Sequence, residues 1–152
     1  MSIAPLRILS FDIECQGRKG VFPQPEFDPV IQIAAHIQNY GSTEVEHRVV
    51  MTLNTCTPIL GAHVFSFERE DQFLTAFKDF IVAADPDILT GYNIMNFDIP
   101  YLFNRALTLG LTEAHKIGRI LGKPMTVRKS HFHSNQHGNR DTRHLDRRAS
   151  DD

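Results

Sequence analysis

Leu6-Arg7-Ile8-Leu9-Ser10-Phe11-Asp12-Ile13-Glu14 reads as a β-strand rich in Ile, Leu and Phe, with two acids at its far end. Successive side chains of a strand point to opposite faces. Leu9, Phe11 and Ile13 therefore face a core, and Asp12 and Glu14 share the other side. Two acids side by side at the end of a buried strand repel each other and lose hydration. The arrangement is expected to cost stability unless a cation lies between them. A hard divalent cation such as Mg²⁺ prefers such an all-oxygen environment. A third acid, Asp98, sits in Gly91-Tyr92-Asn93-Ile94-Met95-Asn96-Phe97-Asp98-Ile99-Pro100-Tyr101-Leu102 and is expected to close the site from another side.

Outward from this strand the pattern continues as a meander. Residues 15–29 form a loop containing Gly17, Gly20, Pro23, Pro25 and Pro29. Val30 to Ile37 is a second strand with Ile31, Ile33 and Ala35 on one face. Val45 to Leu53 is a third, reached through a turn around Asn39-Tyr40-Gly41-Ser42, and short connections favour antiparallel pairing. Val64-Phe65 reads as a short edge strand. Ser66 is placed to cap a helix whose first turn holds Glu68, Glu70 and Asp71, favourable at the positive end of the helix dipole. Phe73, Phe77, Phe80 and Ile81 recur at three- and four-residue intervals as its buried stripe, with Lys78 and Asp79 outside. Asp85-Pro86 ends it. Ile88 to Tyr92 reads as a buried strand, and Phe97 to Leu109 as a helix with Pro100 tolerated in its first turn. Gly110 stops that helix.

The bulk properties fit one domain. A length of 152 residues with 41% hydrophobic content supports a real core. Residues 1–122 carry nine Lys or Arg against fourteen Asp or Glu, whereas residues 123–152 carry seven against four, plus four histidines. A basic end on an acidic body suggests nucleic-acid contact, or simply a solvated tail. Cys15 and Cys56 are too few and too isolated for a disulfide framework or a zinc site, as in a reducing compartment. No apolar run approaches the ~20 residues that span a bilayer. The N-terminus has no charged-then-apolar signal pattern, so the chain is expected to be soluble, intracellular and without a membrane partner.

Phe11-Asp12-Ile13-Glu14, followed much later by Gly91-Tyr92-Asn93 and Asn96-Phe97-Asp98-Ile99-Pro100-Tyr101-Leu102, resembles the first two motifs of the proofreading 3′–5′ exonuclease domain of B-family DNA polymerases. The flanks resemble the delta-type catalytic subunit most closely: Gly17-Arg18-Lys19-Gly20-Val21-Phe22-Pro23, Asp28-Pro29-Val30-Ile31-Gln32-Ile33, Pro58-Ile59-Leu60-Gly61-Ala62 and Asp85-Pro86-Asp87. A lone Asp-x-Glu is weak evidence; both motifs in order, with these flanks, are strong. The resemblance covers residues 5–143 and implies an α/β, ribonuclease H-like exonuclease fold, a mixed sheet with an antiparallel meander flanked by helices and incomplete at the C-terminus. Residues 1–143 are then a partial exonuclease domain, and 144–152 a divergent tail expected to be disordered.

The same resemblance implies the chemistry. Phosphodiester hydrolysis needs an activated water and stabilised charge on both the attacking and the leaving oxygen, and two metals about 3.5–4 Å apart supply both. Asp12 would bridge two Mg²⁺ or Mn²⁺ ions, Glu14 would hold the water-activating ion, and Asp98 would hold the second. Phe22 matches an aromatic presented near the last bases of a single-stranded 3′ end, and Asn93 and Phe97 flank the site. Core packing or loop anchoring are the plainer roles for these aromatics. Arg18 and Lys19 could track phosphates, or be ordinary solvated charges. DNA is the implied partner, with the remaining polymerase domains and replication subunits, in the nucleus.

One family feature is absent from the sequence. Active members have a third motif, Tyr-x-x-x-Asp, supplying a fourth carboxylate and a water-orienting tyrosine. Here no tyrosine follows Tyr101, and none of Tyr40, Tyr92 and Tyr101 has an Asp four positions on. The expectation is therefore one well-held metal position and weak or no activity in this chain alone. The alternative is a non-catalytic nucleic-acid-binding fragment, or a truncated remnant without function.

Overall fold

The computed structural model describes residues 4–118, 125–134 and 138–146. Three strands form the expected meander: β1 (Arg7–Cys15), β2 (Val30–Asn39) and β3 (Val45–Leu53). They pair antiparallel with Phe11 opposite Ala35 and Ala35 opposite Val49. This register aligns the inward residues of all three. Leu9, Phe11, Ile13, Ile33, Ala35, Ile37, Val49 and Met51 are buried together. β4 (His63–Phe67) adds parallel to β3 at the edge.

Helix α1 (Glu70–Ala84) lies across this apolar face with Phe73, Leu74, Phe77, Ile81 and Ala84 buried. The Phe77 ring meets Phe11 at 5.3 Å and Phe80 at 6.5 Å, so the phenylalanine stripe binds helix to sheet. The helix begins later than the sequence suggests. Ser66 is not its cap but a β4 residue, paired with Thr52 and sharing a 3.1 Å hydroxyl–hydroxyl hydrogen bond with it. Arg69 takes the cap position with no side-chain cap bond. Strand pairing gives the Ser66 hydroxyl a partner, so the competing local role is lost. Glu70 and Asp71 remain in the first turn. At the other end Asp85 adopts the left-handed conformation and its amide closes onto the Ile81 carbonyl, stopping the helix before Pro86.

β5 (Ile88–Thr90) runs parallel to β1, giving the strand order β4-β3-β2-β1-β5 and a mixed sheet. It is shorter and less buried than the apolar run Ile88 to Tyr92 suggests, with Ile88 and Thr90 exposed. Among the described residues it is an edge strand, which leaves one flank uncovered. Its entry is fixed by Asp87, whose carboxylate accepts from the Arg7 amide at 2.7 Å while its own amide donates to the Arg7 carbonyl at 2.8 Å. Helix α2 (Asp98–Thr108) follows, buries Ile99, Tyr101, Phe103 and Ala106, and ends at Gly110 with a positive φ.

One buried ion pair ties the layers. Glu70 of α1 receives Arg105 of α2 through two hydrogen bonds of 2.9 and 2.7 Å, with both side chains 10% exposed. Glu70 also accepts from the Val30 amide, and Arg105 donates to the Pro25 carbonyl. β6 (Thr126–Ser134) and β7 (Gly138–Asp146) form a separate antiparallel hairpin. The described part of the polar stretch 130–143 is therefore strand. β7 reaches Asp146, so residues 144–146 of the expected tail are paired, while 147–152 lie outside the described residues.

Phe77→Ala should cost about 3–5 kcal/mol by denaturant unfolding, because it empties the helix–sheet contact. Arg105→Met leaves Glu70 buried without its cation, and should cost a similar ~3–5 kcal/mol. Glu70→Gln with Arg105→Met should recover part of that loss.

Candidate active site

Asp98 is the first residue of α2 and is 1% exposed. Its Oδ1 accepts a buried 3.1 Å hydrogen bond from the backbone amide of Ile13, between Asp12 and Glu14 on β1. The approach depends on Gly91. A Cβ there would lie 2.4 Å from the Phe11 carbonyl oxygen and 2.5 Å from Ile94 Cγ2, so any larger residue would push this segment off the strand. Between Gly91 and Asp98 the chain makes a compact turn. Asn93 is left-handed, its carbonyl accepts from the Asn96 and Phe97 amides, and its side chain accepts from Asn96 Nδ2 at 2.8 Å.

Asp12 and Glu14 differ from expectation. Both are exposed on the open face of the sheet, so hydration, not burial, surrounds them. The desolvated acid is Asp98. Burial raises its pKa, and the neighbouring Asp12 carboxylate raises it further, against the lowering effect of the Ile13 amide. Asp12 and Asp98 thus face one another from different segments. Glu14 stands two residues along the strand, opposite Gln32. Among the described residues no group of three or more His, Cys, Asp or Glu is gathered as a metal cage. An open cleft of about 340 Å³ runs from Asp12 across the sheet, bordered by Ser10, Ala34, His36, Arg48 and Ala62.

Two aromatic rings meet at the start of α2, outside the lining of that cleft. Phe22, in the loop after β1, is 73% exposed, and its ring meets Phe97 edge-on at 5.5 Å. Phe97 is half-buried at the cap of α2 and packs on Tyr101 at 5.4 Å. Asn93 is exposed, and its polar groups shape the turn described above. Arg18 does not offer a free guanidinium, because it is paired with Asp28 at 3.0 Å and bonded to Gln24. Burial pushes the Cys15 thiol up to about 11.

Sequence reasoning missed the importance of three residues here. Gly91 matters through a missing Cβ, which a strand-to-helix connection with Gly at its start could have suggested. Asp28 is buried, its carboxyl held below the usual range first by the Gln24 amide and also by Arg18. Tyr101 donates its hydroxyl to the Asp28 carbonyl at 2.8 Å. No local pattern announces a contact across 73 residues.

Known proteins resemble this chain in both sequence and fold. Residues 1–147 match the family described as DNA polymerase family B, exonuclease domain. The chain is 54% identical over 141 residues to the DNA polymerase delta catalytic subunit of Mesocricetus auratus, covering 93% of this chain and 13% of that protein. It is 48% identical over 143 residues to the delta catalytic subunit of Candida albicans, covering 94% of this chain and 14% of that one. It thus spans about one eighth of the length of these relatives. Among solved structures, the family B DNA polymerase of Pyrobaculum calidifontis aligns at TM-score 0.55 and 32% identity, over 84% of this chain and 14% of that chain. Fold, motifs and relatives agree, and the chain belongs to the exonuclease-domain family of the family B DNA polymerases, with a sequence of the delta catalytic-subunit type.

Proposed function

We propose that this chain carries the acid site of a 3′–5′ proofreading exonuclease that removes nucleotides from the single-stranded 3′ end of DNA. The setting is a delta-type replicative polymerase in the nucleus, with DNA, the other polymerase domains and replication subunits as partners. The observation that carries this reading is the buried Asp98 carboxylate, facing Asp12 with no cation partner among the described residues. A charge that costs burial energy and is left unbalanced in the protein is explained by a cation supplied from outside.

The residues fit a hard divalent ion, Mg²⁺ or Mn²⁺, by donor chemistry, since the facing groups are oxygen ligands only. Asp12 and Asp98 would hold it, with Glu14 adjoining on the strand. When bound, such an ion polarises a phosphoryl oxygen and lowers the pKa of water. The protein's own part is positional. The Ile13 amide fixes the Asp98 carboxylate, and Gly91 brings its segment against β1. Phe22 and Phe97 offer aromatic surface to an unpaired base, and Asn93 holds the turn that leads into Phe97. Hydrolysis through a pair of ions needs further ligands. The described residues gather no larger cluster, and the sequence has no Tyr-x-x-x-Asp. That observation favours a second reading, a nucleic-acid-binding unit that does not cut by itself.

Calorimetric titration with Mn²⁺ should reveal one tight site, lost in Asp12→Ala; two tight sites would show that other acids complete the cluster. The trimming assay separates the two readings. The purified chain should bind single-stranded DNA weakly and salt-sensitively, yet trim a labelled 3′ end orders of magnitude more slowly than the same domain extended through a Tyr-x-x-x-Asp segment. Equal rates, abolished by Asp12→Ala, would establish the chain as a complete enzyme, whereas absence of both binding and trimming would refute both readings.

Metal-free stability should carry the mark of Asp98. Its folded pKa lies above the ordinary value of 3.8. The folded state therefore holds that proton more tightly than the unfolded one. Stability is full below the ordinary value and is lost as pH rises through the raised one. Asp98→Asn keeps an oxygen to accept from Ile13 and removes the charge. Its metal-free melting temperature at pH 7.5 should equal or exceed that of the unaltered chain, while Mn²⁺ no longer stabilises it. A fall of several degrees in metal-free Asp98→Asn would show that ionised Asp98 is structural.

A further inference from the structure

The loop between β1 and β2 is folded on a frame of its own. Asp28, 2% exposed, accepts from the Gln24 amide at 2.8 Å and from Arg18 Nε at 3.0 Å. Arg18 Nη2 reaches Gln24 Oε1 at 2.9 Å, and the guanidinium lies 5.0 Å from the centre of the Phe27 ring. The loop is closed at its base, where the Gln16 amide donates to the Pro29 carbonyl at 2.9 Å. The Asp28 carbonyl also accepts from the Tyr101 hydroxyl of α2 at 2.8 Å. One residue thus ties the loop together with its carboxylate and ties it to the active-site helix with its carbonyl. Carried on this frame, Phe22 stays largely in solvent with its ring edge-on to Phe97.

An arginine whose Nε and Nη2 are both spent inside its own loop is poorly placed to neutralise a phosphate. The Asp28 carboxylate, bonded to the Gln24 amide and to both Nε and Nη2 of Arg18, is fully engaged inside the loop, so the burial of its charge is balanced there and fastens the loop's shape. We propose that Arg18 and Asp28 are positioning residues, which hold the 16–29 loop as a preorganised arm presenting Phe22 for stacking on a base of single-stranded DNA. The proposal rests on the DNA-end reading above. Its physical gain is that the ring is ordered before the strand arrives, so binding does not bear the ordering cost. Stacking of one base on an aromatic ring changes affinity by roughly fivefold to a hundredfold.

The chain contains no tryptophan, so Phe22→Trp makes a unique fluorescent probe at the arm. Without DNA, its anisotropy decay should report a restricted ring. Adding Arg18→Gln should free it, and Arg18→Lys should fall between. Unchanged mobility in Arg18→Gln overturns the clamp, whatever DNA does. With an eight-residue oligothymidylate, Phe22→Ala and Arg18→Gln should each weaken binding roughly fivefold or more. Their combination should be no weaker than the worse of the two, with the salt dependence unchanged. Additive losses, with the slope of log affinity on log salt smaller by about one, would make Arg18 a phosphate contact and overturn the proposal. Normal binding by Arg18→Gln overturns the positioning role alone. Failure of the unaltered chain to bind overturns the DNA-end reading and this use of Phe22 together.

Discussion

The amide of Ile13 needs an acceptor, and much of this domain is arranged around how it finds one. β1 is the second strand from the edge, paired along its whole length with β2 on one side. On the other side β5 accompanies it only from Ile8 to Ser10, and then leaves at Gly91. Beyond that point β1 has lost its strand neighbour, and a buried amide left unpaired would cost about 1–3 kcal/mol. Asp98 fills the gap with a carboxylate oxygen. The strand is thereby completed by a side chain, and the same step brings an acid against Asp12.

Comparable devices recur elsewhere, which makes the difference informative. The Val30 amide is taken by Glu70, and the Arg7 amide by Asp87. Glu70 is neutralised by the bidentate Arg105, which itself gains a raised pKa from the pair. Asp98 has no such cation among the described residues and has Asp12 nearby instead. Two buried carboxylates doing the same backbone work therefore differ in charge balance. Arg105 balances Glu70, whereas the neighbour of Asp98 is a second acid.

The sequence made the frame legible because its signals were local. Alternation in Leu9, Phe11 and Ile13 and in Ile33 and Ala35 set the inward faces, and the spacing of Phe73, Phe77 and Ile81 set the helix stripe. Local signals also misled. Ser66 has the chemistry of a helix cap, yet it pairs with Thr52 across two strands. Ile88 to Tyr92 has the composition of a buried strand, yet only three residues pair and the strand lies at an edge. The acids Asp12 and Glu14 were readable as a same-face pair, but their exposure was not, because burial depends on what covers that face.

By itself the sequence determined which segments bring the acids Asp12, Glu14 and Asp98 and which family the chain belongs to, since both motifs are short and contiguous. Tertiary structure alone decided which acid loses its water. That outcome depends on a backbone approach permitted by the missing Cβ of Gly91, and on the end of β5 beside Ile13. It also decided that Arg18 belongs to Asp28, since a guanidinium in a loop has no local sign of its partner. Periodicity records the face on which a residue lies; only the packed chain fixes what meets it there, because desolvation and pairing are set by residues as many as 85 positions away.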